Sequence, residues 1–228
     1  MGEPAGVCEG DETMNPTLIV DTETTGLPGK TPDNLLHIVE VGCAVVDRWG
    51  DVCGSWGVIV NPGEDVVADP SVRPALDVSG LTPQIIVERG IRPAVAAKRM
   101  IRWLAMLPAG VHWTAFNRNF DAGMLDRGPW PLVLHGMPMA DCLMLRAMAV
   151  MERHCDPDSH EGPLVWMGSK YKWPKASEAI DWLRERGHEI PEMRHHRAVD
   201  DAVMEAGIAV ALEVEEHAIE IEEEGARR

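Results

Sequence analysis

A long antiparallel hairpin is the sequence feature that most restricts the fold. Residues 37–47 (HIVEVGCAVVD) and 52–60 (VCGSWGVIV) are rich in β-branched and small apolar residues, and the stretch RWGD with Gly50 joins them. Two such runs around a short Gly-containing turn predict a pair of antiparallel strands. Another apolar strand, 17–22, precedes the hairpin, and helical and strand patterns alternate after it. The chain therefore predicts one α/β domain around a mixed sheet.

The pattern beyond the hairpin completes this outline. The Pro-rich segment 62–83 is predicted as a surface loop, and residues 93–107 have the apolar spacing of an amphipathic helix. The remaining predicted elements are strands at 111–117 and near 138–142, and helices near 142–152, 175–187 and 198–216. With 17–22 and the hairpin, these patterns give five strands in total.

The net charge of −16 argues at first against a nucleic-acid partner, because phosphates repel an acidic surface. However, residues 1–15 carry −4 and residues 213–228 carry −5, which leaves −7 on residues 16–212. We therefore predict a flexible leader over 1–15, one folded domain over 16–212 and an acidic C-terminal tail over 213–228.

Cysteine usage and hydropathy indicate the compartment. The five cysteines are odd in number and form no CxxC pair, which is typical of a reducing environment rather than a disulfide framework. No apolar run reaches the roughly 18 residues needed to span a membrane, and no secretion signal is recognisable. We expect a cytoplasmic protein without a membrane partner.

Two carboxylates follow the first strand, in TLIVDTETTG. Asp21 and Glu23 are two positions apart, so in an extended strand both side chains point to the same face. Like charges this close repel, and each carboxyl tends to keep a proton unless a cation lies between them. Hard oxygen ligands suit Mg²⁺ or Mn²⁺, so the pair predicts a divalent-metal site.

Further acidic residues occur where other elements begin or end. Asp121 follows the strand 111–117, and HHRAVDD, residues 195–201, begins the closing helix with two His and two Asp. Carboxylates from three such segments can converge at one edge of a sheet, which is the usual ligand crevice of open α/β folds. Glu40, within the second strand, is interpreted as structural.

These motifs together resemble the DEDDh exonucleases, the family of the proofreading subunit of bacterial DNA polymerase III and of ribonuclease T. The resemblance covers residues 17–212 and includes an Asp-x-Glu motif, an Asn-x-x-Phe-Asp motif and a His followed five residues later by Asp. The residues that carry it are Asp21, Glu23, Asn117, Phe120, Asp121, His196 and Asp201.

The resemblance implies a ribonuclease H-like mixed five-stranded sheet flanked by helices. It also implies 3′–5′ hydrolysis of phosphodiester bonds in nucleic acid, most readily single-stranded, with release of nucleoside monophosphates by a two-metal mechanism. The implied ligands of two Mg²⁺ or Mn²⁺ ions are Asp21, Glu23, Asp121 and Asp201. His196 is implied as the general base, and Thr24, Thr25, Leu27 and Asn117 as contacts to the substrate.

Several alternatives stay open at this stage. The pair His195–Asp200 has the same spacing as His196–Asp201. The neighbouring Arg197 and Ala202 favour the second register, and so does the helix face that Asp201 shares with Ala198, Glu205 and Ile208. The substrate can be DNA or RNA with a 3′ end, and a polymerase or another replication or repair protein can be a partner. A non-catalytic nucleic-acid-binding or polymerase-associated module with the same fold is the alternative function.

Two loop segments each have two interpretations. HCDPDSH (154–160) has the residue types of a zinc site but lacks a paired fourth ligand at a recognised spacing, so a polar loop is the preferred interpretation. SKYKWPK (169–175) could grip a single strand through charge and stacking. The preferred interpretation of 169–175 is a helix entrance with Trp173 packed on the core.

Overall fold

The computed structural model describes residues 16–131, 133–193 and 196–227, so the predicted leader and His195 lie outside the described residues. A mixed sheet runs through the centre. Its strands are β1 (Thr17–Thr24), β2 (Ile38–Val46), β3 (Val52–Ile59) and β4 (His112–Thr114). Their order is β3-β2-β1-β4, in which β2 is antiparallel to both β3 and β1 and β4 is parallel to β1. The mixed α/β prediction and the central hairpin are therefore confirmed.

The prediction of five strands is wrong, because the described sheet has four. The segment near 138–142 pairs with β4 only at Met139, where Trp113 donates its N–H to Pro138 at 2.9 Å and accepts one from Ala140 at 2.9 Å. Beyond this bridge the strand pairing stops, since side chains form hydrogen bonds to the next two backbone carbonyls of the segment. The guanidinium of Arg118 donates to Ala140, and the Thr114 hydroxyl donates to Asp141 at 2.7 Å.

Eight helices flank the described sheet. They are α1 (Glu64–Val67), α2 (Arg73–Ser79), α3 (Pro83–Arg89), α4 (Pro93–Leu104), α5 (Arg118–Leu125), α6 (Leu143–Glu152), α7 (Ala176–Glu185) and α8 (Ala198–Ala226). The two faces of β1 bury different partners. Leu18 and Val20 pack in a cluster with residues of α4 and α5, whereas Ile19 packs in a cluster with residues of α6, α7 and α8.

The segment 62–83 is not the surface loop that its proline content predicted. It contains α1, a 3-10 turn at Pro70–Val72 and α2, and it buries Val72 and Leu76 completely. Proline is well suited to the first turn of a helix, where its missing N–H costs nothing, so the prolines here begin short helices rather than prevent them.

The last helix crosses the predicted boundary at residue 212 without a break and ends at Ala226. Arg146 of α6 forms ion pairs with Glu213 at 3.0 Å and Glu216 at 2.5 Å, and Arg153 pairs with Glu223. The first part of the acidic segment is thus packed along α6, while the division into leader, domain and tail stays a prediction. Within the described residues, no helix combines the length and the apolar character required to cross a bilayer.

Helix α8 begins directly against the sheet. Glu40 of β2 is buried and accepts two hydrogen bonds from Arg197, at 2.9 and 2.6 Å, and one from the N–H of Ala198 at 3.2 Å. Two residues further along β2, a Cβ on Gly42 would lie 2.0 Å from the carbonyl of Ala198. Glu40 therefore has the structural role expected of it, and Gly42 provides the space in which the helix begins.

We expect Gly42→Ala to lower the free energy of unfolding by about 3 kcal/mol, because the added methyl must displace the backbone of α8. Urea unfolding monitored by circular dichroism measures the change. Gly54→Ala on β3 is the matched control, since a Cβ there meets no atom within 4 Å. Equal losses in the two variants would show that the close approach at Gly42 is not what limits stability.

Candidate active site

Strand β1 carries the first two carboxylates out of the core. Asp21 and Glu23 follow Ile19 on the face of β1 that packs toward α8, and their partners across β2 are Gly42 and Glu40. Because Gly42 has no side chain, no β2 side chain covers Asp21 at this position. The strand periodicity thus places both carboxylates beside the beginning of α8, as the spacing predicts.

A compact group forms where β1 meets α8. Glu23, His196 and Asp201 each offer a ligand atom, and these atoms all lie within 4.8 Å of one another. His196 has a φ of 62°, a left-handed conformation that is uncommon for residues other than glycine. Such a backbone is unfavourable and is retained where the surrounding structure requires it, most often at functional sites. Of Asp200 and Asp201, the second belongs to this group.

Asp121 approaches from the other side of β1. It lies in the first turn of α5, is buried, and its Oδ1 accepts hydrogen bonds from the backbone N–H of Thr22 at 3.1 Å and from the Thr22 hydroxyl at 2.7 Å. Thr22 stands between Asp21 and Glu23 in sequence, so these bonds fix Asp121 relative to both. The carboxylate is therefore positioned by the strand that carries the other two.

Burial and crowding alter the protonation of these groups. Burial, followed by the charges of Asp201 and Glu40, raises the pKa of Glu23 to about 7, although Arg197 opposes the shift. Burial likewise raises the pKa of Asp121 to about 7, against the hydrogen bonds from Thr22. Carboxylates in such surroundings hold protons near neutral pH unless a cation compensates the charge.

Asp21 is at the centre of the acidic cluster. Burial, and then repulsion from Glu205, Asp121, Glu23 and Asp201, raises the pKa of Asp21 well above its usual range. Each of these four carboxylates makes the ionisation of Asp21 less favourable. Among the described residues, the group of possible metal ligands formed by Glu23, His196 and Asp201 does not include Asp21.

Solved structures of exonucleases share this architecture. E. coli exonuclease I in its zinc-bound complex with single-stranded DNA is 21% identical, with a TM-score of 0.58 over 88% of this chain and 40% of that chain. Exonuclease X in complex with 5′ overhanging duplex DNA is 21% identical, with a TM-score of 0.50 over 86% and 90% of the two chains. Cell-death related nuclease 4 is 17% identical, with a TM-score of 0.55 over 86% and 62%.

The chain has the fold of the DEDDh-type exonucleases. It spans 40% of the exonuclease I chain, so its exonuclease-like part corresponds to less than half of that protein. No protein-family profile and no curated protein matches the sequence. The likeness is thus one of three-dimensional structure at low sequence identity.

One buried acidic residue near the site, Glu205, belongs to none of the sequence motifs. Glu205 is buried on α8, four residues after Asp201, and its Oε2 accepts a hydrogen bond from the N–H of Phe116 at 3.2 Å. Burial, and then the charge of Asp121, raises its pKa well above the usual range. The i, i+4 spacing places Glu205 on the same helix face as Asp201, and that spacing was the available signal.

An open cavity of about 480 Å³ adjoins the acidic cluster. Its lining includes Glu23, Thr24, Leu27, Lys30, Val78 and Phe120. Leu27 is exposed, and the Thr24 hydroxyl donates to the carbonyl of Gly26 at 2.6 Å, which holds the turn after β1. The exposed Asn117 precedes α5.

Thr25 has a different environment from its neighbours. Its side chain is completely buried, and its hydroxyl donates to the carbonyl of Leu35 at 2.5 Å and accepts from the N–H of His37 at 2.8 Å. These bonds tie the turn after β1 to the segment that enters β2. The Thr25 hydroxyl therefore serves to shape the cavity wall.

The two loop segments agree with the favoured interpretations except at Trp173. His160 stacks on Trp166, with ring centroids 3.8 Å apart, and among the described residues His154, Cys155 and His160 do not form a metal-binding group. Trp173 is 58% exposed, so its predicted packing on the core is wrong. The helix entrance itself is present, because α7 begins with Lys175 as its N-terminal cap.

The raised carboxyl pKa values predict an inverse pH dependence of stability in metal-free protein. Unfolded carboxyl groups titrate near about pH 4, whereas Glu23 and Asp121 titrate at about 7 in the folded protein. The folded state therefore binds more protons than the unfolded state between these values. The resulting stability is fully present below about pH 4 and is lost as pH rises through about 7.

With a chelator present, we expect the melting temperature to fall between about pH 5 and pH 8. Differential scanning calorimetry across this range measures it, and Glu23→Gln should flatten the slope because one of the titrating groups is removed. A melting temperature that rises over the same interval would contradict the prediction.

Proposed function

We propose that the chain is a metal-dependent 3′–5′ exonuclease that hydrolyses single-stranded nucleic acid from its 3′ end and releases nucleoside monophosphates. The observation that carries the proposal is the meeting of Glu23, His196 and Asp201 within 4.8 Å beside Asp21, in an exonuclease fold. This combination supplies acidic ligands and a proton acceptor at the edge of an open cavity.

The donor set fits two divalent cations such as Mg²⁺ or Mn²⁺. The residues that would hold them are Asp21, Glu23, Asp121 and Asp201, which offer only hard oxygen atoms. Burial raises the pKa values of Asp21, Glu23 and Asp121, and the charges of neighbouring carboxylates add to the shift at Asp21 and Glu23, so a bound cation would favour the ionised forms. When bound, the ions would polarise the attacking water and stabilise the negative charge that develops on the leaving 3′ oxygen.

His196 is the proposed general base. Its imidazole lies in the group with Glu23 and Asp201, and imidazole is the side chain that most often accepts a proton in catalysis. As the water oxygen forms its bond to phosphorus, His196 takes the water proton. The bond between phosphorus and the 3′ oxygen of the preceding nucleotide then breaks.

The cavity beside β1 is the proposed place for the terminal nucleotide. Leu27 offers an exposed apolar side chain against a base, and Thr24, which lines the cavity, and the exposed Asn117 are the proposed polar contacts to the terminal nucleotide. Thr25 contributes by holding the loop to Leu35 and His37.

We further propose a cytoplasmic location and keep a polymerase, or another replication or repair protein, as a candidate partner.

Hydrolysis of end-labelled oligonucleotides tests the proposal. Single- and double-stranded DNA and RNA, labelled at either end, are incubated with the protein and Mg²⁺. A 3′ label should appear at once as mononucleotide, whereas a 5′-labelled strand should shorten stepwise. Glu23→Gln serves as the inactive control. Cuts within the strand would contradict exonucleolytic cleavage. Binding of the substrates without hydrolysis of any of them would favour the non-catalytic module.

A further inference from the structure

Three of the chain's five lysines lie close together in one loop. Lys170, Lys172 and Lys175 lie within six residues, and no acidic residue occurs between Glu161 and Glu178. This segment is therefore positively charged in a chain whose net charge is −16. A polyanion would be attracted to such a segment.

The lysines are carried by a small, well-anchored hairpin. Trp166 and Tyr171 form an antiparallel bridge, and the turn is closed by hydrogen bonds from the N–H of Met167 to the carbonyl of Lys170 and from the N–H of Lys172 to the carbonyl of Val165, both 2.9 Å. We call residues 164–175 the basic hairpin. Its conformation is fixed by backbone pairing.

An aromatic cluster attaches the inner face of the basic hairpin to the protein. The ring of Trp166 stacks on His160 at 3.8 Å and meets Tyr171 edge-on at 4.9 Å. Tyr171 is buried, and its hydroxyl lies 3.3 Å from Nδ1 of His160. With the inner face used for anchoring, the alternate residues are directed outward.

Exposed apolar side chains accompany the lysines of the basic hairpin. Val165 and Met167, which alternate with Trp166, are 56% and 63% exposed, and Trp173, beyond the bridge, is 58% exposed. Lys170 and Lys175 are exposed, whereas Lys172 pairs with Glu178 at 2.9 Å. An exposed indole within three residues of two exposed lysines in sequence matches single-stranded nucleic acid, whose bases stack on aromatic rings while its phosphates contact cations.

The basic hairpin lies away from the acidic cluster along α6. At the N-terminal end of α6, Met144 donates to the carbonyl of Phe116, the residue whose N–H Glu205 accepts. At the other end, Cys155 follows α6. Gly162, which precedes the basic hairpin, packs against it, because a Cβ on Gly162 would lie 2.7 Å from the Cα of Cys155. The ten residues of α6 span about 15 Å, which corresponds to at least about four stacked nucleotides.

We propose that the basic hairpin is a second binding surface for single-stranded nucleic acid, and that it holds the strand on the 5′ side of the reacting end. This inference rests on the proposed exonuclease function for the role of the bound strand, but not for binding itself. Trp173 stacks on a base, and Lys170 and Lys175 contact the flanking phosphates. The surface increases the affinity for long strands and leaves the hydrolysis of very short ones unchanged.

Binding measurements on two oligonucleotide lengths test this surface. We compare strands of about 20 and about 3 nucleotides, because single-strand sites cover about 4–16 nucleotides. Fluorescence anisotropy in chelator gives affinity without hydrolysis, so the result stands even if the exonuclease proposal fails. Trp173→Ala and Lys170→Gln should each weaken binding of the long strand about tenfold. In Mg²⁺, kcat/KM on the short strand should stay unchanged.

Two matched variants control for general effects. Trp49→Ala removes another exposed tryptophan, and Lys98→Gln removes an exposed lysine of α4, and both should leave the affinity for the long strand unaltered. Unchanged affinity in the hairpin variants, or equal losses in the controls, would overturn the proposal. Binding of a poly-glutamate peptide that the long strand fails to displace would also overturn it, in favour of an acidic protein partner.

Discussion

Replacing Asp201 with asparagine should lower the rate of 3′-end hydrolysis by about 10³-fold at saturating Mg²⁺, while the protein remains folded. Asp201 lies in the group with Glu23 and His196, so its loss removes a charged oxygen ligand from the proposed metal site. Metal ions supply several kcal/mol of transition-state stabilisation, and about 1.4 kcal/mol corresponds to a factor of ten in rate. Quench-flow or gel assays of mononucleotide release measure the loss.

The neighbouring aspartate is the matched control for this prediction. Asp200→Asn removes the same charge one residue earlier on α8, outside the group that Glu23 and His196 form. We expect this variant to keep most of the activity. His196→Ala should be nearly inactive and His195→Ala should remain active. The reverse pattern in either pair would place the working residues one position earlier in the chain.

The structure brings Glu23 and Asp201 together with His196, as their positions at element ends suggested, while the roles of these residues stay a prediction. Asp21, Glu23 and Asp201 depend on local spacing at the ends of β1 and the beginning of α8, and such spacing is visible in the sequence. The fifth strand depended on whether the ladder continues past Met139. There the side chains of Arg118 and Thr114 take the carbonyls, which is a tertiary effect that no pattern within 138–142 reveals.

Long-range packing explains what the sequence did not predict. The position at which α8 begins depends on the ion pair of Glu40 with Arg197, 157 positions later in the chain, and on the close approach of Gly42 to Ala198. Likewise, Glu205 is a site neighbour because its carboxylate meets the N–H of Phe116. A single sequence does not indicate which distant residues are in contact, so the roles of these residues are visible only in the folded structure.

Removal of divalent metal should abolish hydrolysis, and Mg²⁺ or Mn²⁺ should restore it. The cluster around Asp21 is electrostatically unfavourable when no cation is bound, because burial and four neighbouring carboxylates raise its pKa. Added Mg²⁺ should therefore also raise the melting temperature, since it binds the folded state and not the unfolded chain. Full activity in excess chelator would refute the metal-dependent mechanism.

The stability effect of Mg²⁺ separates a specific site from nonspecific ion binding. Glu23→Gln removes one repelling carboxylate, so in chelator this variant should melt at a higher temperature than the wild type. In Mg²⁺ the order should reverse or disappear, because the variant has lost a ligand. The wild-type shift should also be larger at about pH 8 than at about pH 6, since protons compete for Glu23 and Asp121 below about 7. A shift that is equal in both proteins and at both pH values would mean that Mg²⁺ binds elsewhere.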